Sequence, residues 1–456
     1  MKEKTLKSNN YEIDMCEGAI LPKVLLFTIP LILSGVLQLL FNAADIIVVG
    51  RFAGNQPLAA VGSTSSLINL LVNVFIGLSV GANVMVARFY GANQEKELSD
   101  MIHTAIATAF ISGVLLVFIG FFLAEPALTF MGTPEDVIDY SVLYMRIYFA
   151  GMPATMLYNF GSAILRAVGD TKRPLYYLLF AGVVNVVLNC VFVICFDMDV
   201  AGVALATVIS QVISAALVIR CLVVYDGSLR LDIKRLRIVW GKFFRMLQIG
   251  LPAGIQGAFF SISNILIQSS INSFGSVVMA GNTAAGNLEG FVYTGMNAFH
   301  QTAISFCGQN FGAQKYKRIW KIMLTCEMCV VVVGVVLGVG AYALSPILLQ
   351  LYSQDPEVIS YGIIRMAIIC VPYALCGMMD VMVGVLRGIG RSVMPMFVTL
   401  TGVCLVRVVW IYTIFKQIGT LESLYVSYPI TWGLTFVVHT ICFCAIYFGT
   451  LRKRSL

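Results

Sequence analysis

Residues 25–50 read LLFTIPLILSGVLQLLFNAADIIVVG, an apolar run that holds a single carboxylate, Asp45. At about 1.5 Å of rise per residue, the run is long enough to cross a bilayer core of roughly 30 Å. Polar side chains recur along it every three or four positions and so share one face of a helix: Ser34, Gln38, Asn42 and Asp45. The sequence predicts a membrane helix with one apolar and one polar face.

Asp45 is the most informative residue of this run. A charged side chain inside a bilayer costs a few kcal/mol, roughly 3, unless it is protonated, paired or hydrated. Such a residue is therefore predicted to be functional. The alternative is a hydrogen-bonded clamp between helices, which also uses polar side chains at this depth.

The composition predicts an integral membrane protein. Of 456 residues, 59% are hydrophobic and 12% are charged, whereas soluble domains carry about 25% charged residues. The first twenty residues lack an apolar core and a cleavage site, so they are not expected to form a signal peptide. The net charge of +7 comes from basic residues that lie between the apolar runs. This placement is typical of a protein oriented in a lipid bilayer, and we expect no nucleic-acid partner.

Apolar runs between charged or Pro- and Gly-rich breaks predict an all-α protein with twelve transmembrane helices. The predicted spans are 24–50, 57–87, 98–123, 137–166, 174–196, 200–224, 243–271, 277–306, 317–344, 358–386, 394–416 and 424–449. Kinks are expected at Pro153 and Pro372, because proline removes a backbone donor. Lysine and arginine concentrate in the tails and after the even-numbered spans, so both termini are predicted to be cytoplasmic.

The two halves repeat one another. Leu165-Arg-Ala-Val-Gly recurs as Leu386-Arg-Gly-Ile-Gly, and Phe89-Tyr-Gly-Ala recurs as Asn310-Phe-Gly-Ala. Since each repeat follows an even number of spans, the halves are predicted to be parallel six-helix copies. The predicted division is a tail at 1–23, an N-terminal lobe at 24–224, a linker at 225–242, a C-terminal lobe at 243–450 and a tail at 451–456. The basic linker is alternatively a helix on the membrane surface.

Polar stripes open each half and predict a substrate cleft lined by spans 1, 2, 7 and 8. The candidate cleft residues are Gln38, Asn69, Asn73, Ser261, Asn264, Gln268 and Asn287. Other charges inside the membrane are few: Glu289, Glu327, Asp380, Arg146, Arg365, Arg407 and His439, with His300 near the end of span 8. We expect Arg407 to neutralise Asp380 on the adjoining span, Glu327 to reach the interface or pair locally, and both histidines to be structural.

Motifs of soluble catalysis do not occur in this sequence. It has no G-x-x-x-x-G-K-[ST] phosphate loop, no G-x-S-x-G and no H-E-x-x-H. We therefore predict a transporter without enzymatic activity or cofactor, driven by an ion gradient that membrane carboxylates couple to export.

These motifs together resemble the MATE family of multidrug and toxic compound extrusion transporters. The likeness rests on Ile29-Pro30 with Asp45 and Gly50, on Leu165 to Thr171, on Gly308 to Ala313, and on Asp380 before Leu386-Arg-Gly388. The resemblance implies a V-shaped pair of six-helix lobes and ion-coupled antiport by alternating access. It also implies that Asp45 couples protons in the N-terminal lobe and that Asp380 binds cations in the C-terminal lobe.

The sequence departs from the family pattern at two places. The sodium-binding branch has a glutamate where this chain has Ser261, so Glu289 on the next span is the candidate substitute. The archaeal branch has a second aspartate where this chain has Asn189, four residues after Asn185. The predicted ion-coupling set is Asp45, Asn42, Asn185 and Asn189, with Asp380 and Glu289 as ion or substrate residues of the other lobe. No metal site is predicted beyond Na⁺ at Asp45 or Asp380.

The predicted function is an antiporter that exports amphipathic, mostly cationic organic compounds in exchange for H⁺ or Na⁺. The predicted location is the plasma membrane, and the predicted state is a monomer. A flippase for lipid-linked saccharides is the alternative, but it would be expected to line its cleft with basic residues for pyrophosphate. A membrane enzyme and a channel are further alternatives, which the missing catalytic set and the internal duplication disfavour.

Overall fold

The computed structural model describes residues 11–453, and the described chain is helical without any strand. Twelve helical spans follow one another, which confirms the predicted fold class. They are α1 Ile20–Ala53, α2 Asn55–Gly91, α3 Glu95–Phe130, α4 Glu135–Ala150 with Met152–Ala167, α5 Lys172–Cys195, α6 Asp199–Val224, α7 Trp240–Asn272, α8 Ser276–Gly312, α9 Tyr316–Ala343, α10 Pro356–Ile369 with Ala374–Gly388, α11 Val393–Ile418 and α12 Leu421–Leu451.

Most of these helices suit a bilayer by length and composition. Nine described helices are individually long and apolar enough to cross a membrane, and the bent pair that forms α10 is a tenth. The other two spans are α4, which consists of two shorter helices, and α8, which carries several asparagines along its length.

Proline explains the breaks in α4 and α10. The α4 helices meet at Gly151, two residues before Pro153, and the α10 helices bend by 49° across the turn that contains Pro372. A proline within a helix lacks the N–H donor and clashes with the carbonyl four residues earlier. The predicted kink is confirmed at Pro372, and near Pro153 the helix is interrupted at Gly151.

The chain divides into two compact units. Unit 1 joins Leu33–Gly254 to the N-terminal segment that ends at Asp14, and unit 2 joins Met15–Ile32 to the chain from Ile255 onward. The change of unit therefore falls within α1 and within α7. The predicted boundary between the lobes lies at the 225–242 linker instead. The two divisions differ because α1 and α7 each pack with different partners along their length.

Glycines determine the packing of α7 within unit 1. Gly77 and Gly81 of α2 lie against the backbone of Gly250 and Gly254 of α7. A Cβ on Gly81 would come within 2.9 Å of the Gly250 nitrogen, and backbones can approach this closely only where both helices carry small residues. The first half of α7 is thereby fixed to α2.

Unit 2 uses the same device between α9 and α10. A Cβ on Gly334 would lie 2.8 Å from the Cα of Ala374, and Gly338 faces the carbonyl of Cys370. Gly286 and Gly290 of α8 are also four residues apart, yet nothing lies within 4 Å of where their Cβ atoms would be. Glycine spacing alone therefore does not identify a helix contact.

The linker is not a basic surface helix. Between α6 and α7 the chain forms two short 3₁₀ turns, Gly227–Leu229 and Ile233–Arg235. The backbone N–H of Asp232 donates to Nε2 of His103 at 3.1 Å, and Arg237 pairs with Asp100 at 2.8 Å. These bonds hold the segment against α3, so the membrane-surface helix is wrong, and the predicted domain boundary at 225–242 stays a prediction.

Candidate functional site

Asp45 lies in unit 1 in a cluster of neutral polar side chains. The amide Nδ2 of Asn189 donates to Oδ1 of Asp45 and, at 3.3 Å, to Oδ1 of Asn185. Asn185 in turn donates to Oγ1 of Thr207 at 3.4 Å, and Thr207 also hydrogen-bonds Asp45. Asn185 and Asn189 are buried. Among the described residues, the direct partners of the carboxylate are therefore uncharged donors.

Helix geometry explains why these residues meet. Asn185 and Asn189 are four residues apart on α5, so they share a face. One turn earlier on each helix, Gly182 lies against the ring of Phe41, where a Cβ would overlap the ring. The missing side chain thus lets α5 approach α1 closely enough for an amide to reach a carboxylate.

The sequence predicted only part of this cluster. Thr207 was missed because a single threonine in an apolar helix is an unremarkable residue. Tyr144 and Tyr148 of α4 also lie close enough to interact electrostatically with Asp45, and only the fold reveals that α4 faces α1. Asn42, in contrast, is exposed and has no hydrogen bond to Asp45 in the described structure, so the structure does not bring it into the cluster.

Asp380 lies in unit 2 beside Tyr293 and Arg387. The hydroxyl of Tyr293 donates to its carboxylate, and Arg387 is its cationic neighbour. Arg387 follows Asp380 by seven residues, two turns along the same face of α10. The expected pairing with Arg407 is wrong, because Arg407 instead donates from Nε to Thr431 at 3.1 Å.

Arg387 extends this group through neutral acceptors. It donates from Nη2 to Gln256 at 2.9 Å and lies 3.5 Å from Nε2 of His300. Nδ1 of His300 lies 2.6 Å from the backbone carbonyl of Asp380. His300 is thus buried and hydrogen-bonded at both nitrogens, as expected of a structural histidine.

Glu289 forms a separate buried ion pair in unit 2. Arg365 donates to both its oxygens at 2.7 Å, and donates from Nη1 to Oδ1 of Asn282 at 2.6 Å. The hydroxyl of Tyr425 reaches the same Asn282 oxygen at 3.1 Å. Both carboxylate oxygens are therefore engaged, and no second cation is needed to balance Glu289.

Glu327 does not reach the interface as expected. Its side chain is buried, and neither carboxyl oxygen has a hydrogen-bond partner in the described structure. Its position on α9 places it on the face that carries Val330 and Gly334, which pack on α10. His439 lies in α12 and bonds Thr399 through Nε2 at 3.1 Å.

The candidate cleft residues are distributed over both units. Gln38, Asn69, Asn264 and Asn287 are exposed, whereas Asn73, Ser261 and Gln268 are half-buried. Gln268 donates to Asn272 at 2.8 Å and accepts from Asn282 at 3.0 Å. Ser261 donates to the carbonyl of Gly257 on its own helix at 3.2 Å. Their part in substrate binding stays a prediction.

Hard cations such as Na⁺ take oxygen ligands. Asp45 supplies carboxylate oxygens, but Asn189 presents its amide N–H₂ to that carboxylate, and a donor cannot ligate a cation. The described residues contain no group of three or more His, Cys, Asp or Glu side chains that could hold a metal ion. A carboxyl group with such partners can exchange a proton, and the buried Oδ1 of Asn189, which has no hydrogen-bond partner among the described residues, leaves one amide oxygen near it.

The comparison with known families decides the identity of the chain. The model of the MatE family matches residues 30–191 and, a second time, residues 252–413. The chain belongs to the MATE family. Because one model matches each half, the two halves are copies of a common unit, as the repeated motifs predicted.

Relatives of this MATE protein cover nearly its whole length. It is 28% identical over 422 residues to the probable multidrug resistance protein YoeA of Bacillus subtilis, covering 91% of each chain. It is 22% identical to a FAD transporter of Shewanella oneidensis, covering 88% of this chain and 89% of that one. Both relatives are named as transport or resistance proteins, which agrees with a family of transporters.

Solved MATE structures share the fold. A Vibrio cholerae MATE transporter superposes with a TM-score of 0.87 at 20% identity, covering 95% of this chain and 97% of that one. A MOP-superfamily transporter from Pyrococcus furiosus gives a TM-score of 0.91 at 19% identity, covering 98% and 100%. This MATE chain is therefore a multi-pass membrane protein of two helical units.

Proposed function

We propose that this protein is a secondary active multidrug exporter of amphipathic, mostly cationic compounds, which it exchanges for H⁺ at Asp45. The observation that carries the proposal is the environment of Asp45, a membrane carboxylate whose direct partners, Asn189 and Thr207, are both neutral. The multidrug names of relatives such as YoeA support the substrate class. We place the exporter in the plasma membrane as a monomer with both termini cytoplasmic.

The neutral partners make protonation reversible. A carboxylate that an arginine balances loses an ion pair when it is protonated, and the unpaired buried cation is costly. Asp45 leaves no such cation behind, because amide and hydroxyl groups can hydrogen-bond either protonation state. Asp45 can therefore gain and lose a proton in each cycle without exposing an uncompensated charge.

Protonation of Asp45 changes what unit 1 attracts. The ionised form draws a cationic substrate and the donor of Asn189, whereas the neutral form draws neither strongly. Proton and cation thus compete for one charge, and occupancy by one lowers the affinity for the other by the same factor in both directions. Import of a proton then drives release of the substrate.

Sodium is the competing coupling ion. The donor orientation of Asn189 and the serine at position 261 support protons as the coupling ion. Separate gradients distinguish the two ions, because only the coupling gradient drives accumulation.

The experiment measures ethidium transport into inverted membrane vesicles under a pH gradient or a sodium gradient. We expect Asp45→Asn to abolish pH-driven transport while the protein inserts at normal levels, since asparagine keeps the shape but cannot titrate. Asp139→Asn is the matched control, because Asp139 is exposed on α4. Near-normal pH-driven transport by Asp45→Asn would refute the assignment, and sodium-driven transport by the wild type would replace H⁺ with Na⁺.

A further inference from the structure

Unit 2 contains three buried arginines on α10 and α11, and only two have a carboxylate. Arg365 pairs with Glu289, and Arg387 neighbours Asp380. Arg407 of α11 is 2% exposed and has no carboxylate beside it among the described residues. Its titratable neighbours are the hydroxyls of Tyr428 and Tyr373 and the thiols of Cys376 and Cys404, none of which is a carboxylate.

A guanidinium cannot escape this cost by losing its proton, because arginine stays protonated in proteins. A buried carboxyl such as Glu327 can take up a proton and become neutral. Arg407 stays charged, so its burial is costly unless an anion lies beside it. Arg407 stacks over the ring of Tyr428 at 4.1 Å and lies 5.7 Å from that of Trp432. These rings cover the face of the guanidinium, but they do not supply an anion.

The edge of the guanidinium is incompletely bonded. Nε donates to Thr431 at 3.1 Å, whereas the buried Nη2 has no hydrogen-bond partner. Hydrogen bonds that involve a charged group stabilise a protein more than those between neutral groups. A buried guanidinium N–H without an acceptor therefore costs more free energy than a neutral donor left without one. Arg407 therefore offers an unused, charged donor inside the protein.

More unused polar groups lie nearby, where α11 packs on α12. We name this contact the α11–α12 seam, formed by residues 399–407 and 427–439. Thr435 faces Gly402, and Ser263 of α7 lies beside Cys404. The hydroxyl of Ser263 hydrogen-bonds the thiol of Cys404, whereas the hydroxyl of Thr435 and Nδ1 of His439 are buried without a partner among the described residues. The seam is thus rich in donors and lacks carboxylates among the described residues.

The backbone of α11 departs from a regular α-helix on both sides of Arg407, and α1, α5 and α12 also contain π turns. α11 contains π-helical turns at Leu400–Leu405 and Ile411–Phe415, on either side of the α-helical turn Val406–Trp410 that carries Arg407. Single π turns within α-helices are rare and concentrate at functional sites. They widen the helix locally and set the direction of the arginine between them.

We propose that Arg407 holds a monovalent anion at the α11–α12 seam, through its buried Nη2. The anion is either an inorganic halide or the carboxylate of an amphipathic solute, since both accept hydrogen bonds from a guanidinium edge. The site is independent of Asp45, which lies in the other unit. It gives unit 2 an affinity for negative charge that an exporter of cations alone does not need.

Trp432 provides a direct test, because iodide quenches tryptophan fluorescence only at close range. Trp432 is 4% exposed, so collisions from bulk solvent reach it poorly. Purified protein is titrated with iodide at constant ionic strength, balanced with sodium sulfate. We expect a saturable quenching component that disappears in Trp432→Phe and in Arg407→Gln.

Two further variants keep the test decisive if Arg407→Gln folds poorly. Arg407→Lys retains the charge but loses the planar guanidinium with its several N–H donors. Saturation is therefore expected at a roughly tenfold higher iodide concentration, the equivalent of one lost hydrogen bond to a charged group. Arg391→Gln is the charge-matched control, because Arg391 is exposed, and it should behave like the wild type.

Competition identifies the source of the anion. Displacement of iodide by chloride assigns a halide site, displacement by benzoate assigns a carboxylate site, and displacement by both assigns a site for either. A strictly linear, unsaturable response of the wild type would overturn the proposal. So would saturable quenching that persists in Arg407→Gln or that neither competitor reduces.

Discussion

The Glu289–Arg365 pair is predicted to stabilise unit 2. The two single substitutions and the double substitution together separate the cost of an unpaired charge from the contribution of the pair. Glu289→Met leaves Arg365 buried, at 8% exposure, with Asn282 as its remaining hydrogen-bond acceptor. Arg365→Met leaves both oxygens of Glu289 without their donors. Each single substitution therefore creates an uncompensated buried charge, whereas the double substitution removes both charges together.

The structure sets the expected size of these effects. Breaking a buried ion pair from one side costs about 3–5 kcal/mol, whereas replacing both partners with apolar residues of similar volume is often nearly neutral. At about 2–4 °C per kcal/mol for a unit of this size, each single variant should lower the melting temperature by roughly 6–20 °C. The double variant should recover most of that loss, because Tyr425 still donates to Asn282 at 3.1 Å.

The assay is thermal unfolding of the purified protein in detergent, together with ethidium transport measured well below the melting temperature. We expect low stability and residual transport in the single variants. If Glu289→Met instead melts like the wild type and abolishes transport, then Glu289 binds an ion or a substrate. That result would refute the reasoning from the bidentate contact.

Three further predictions concern packing, pH and an unpaired carboxyl. Gly81→Ala should lower the free energy of unfolding by at least about 2 kcal/mol, because its Cβ would meet the carbonyl of Met246. Gly62→Ala on the same helix is the control: its Cβ would meet nothing within 4 Å, so this variant should melt like the wild type. Burial raises the pKa of Asp170, in the turn between α4 and α5, from 3.8 to about 6. The folded state therefore binds the proton more tightly, and stability should fall by at most about 3 kcal/mol as pH rises from about 4 to about 6. Asp170→Asn should flatten that part of a plot of melting temperature against pH. Glu327→Met should raise the melting temperature, since a buried polar group without a partner costs about 1–3 kcal/mol, and a lowered value would show that Glu327 has a partner in the membrane.

Sequence reasoning located the helices well because the signal is local. Each span is bounded by charged residues or by proline and glycine, and most helix ends fall within a few residues of the predicted ends, whereas α3 and α8 run on to Phe130 and Gly312, past the predicted ends at 123 and 306. The kinks at Pro153 and Pro372 were predictable for the same reason, since the cause is contained in one residue. The sequence did not predict that α1 and α7 each contribute one part to unit 1 and the other part to unit 2, because that division depends on which helices pack together.

Partner choice within the membrane was the weakest part of the prediction. Asp380 was assigned to Arg407 because the two lie on adjoining spans, yet its neighbour is Arg387. Successive residues of a helix are rotated by about 100°, so a small error in the facing direction exchanges one partner for another. Glu289 and Arg365 are 76 positions apart in the sequence, and no local pattern connects them.

Asp45 differs from Asp380 and Glu289 in how its charge is compensated. In unit 2, Asp380 and Glu289 have arginine neighbours, so neutralising either would leave a cation buried without its partner. In unit 1, Asp45 has only amide and hydroxyl partners, and its charge can be removed without that penalty. A group that must change charge in every transport cycle belongs where no fixed counter-charge opposes the change. The same reasoning applied to Arg407, a fixed cation without a carboxylate, requires the compensating anion to come from outside the described chain.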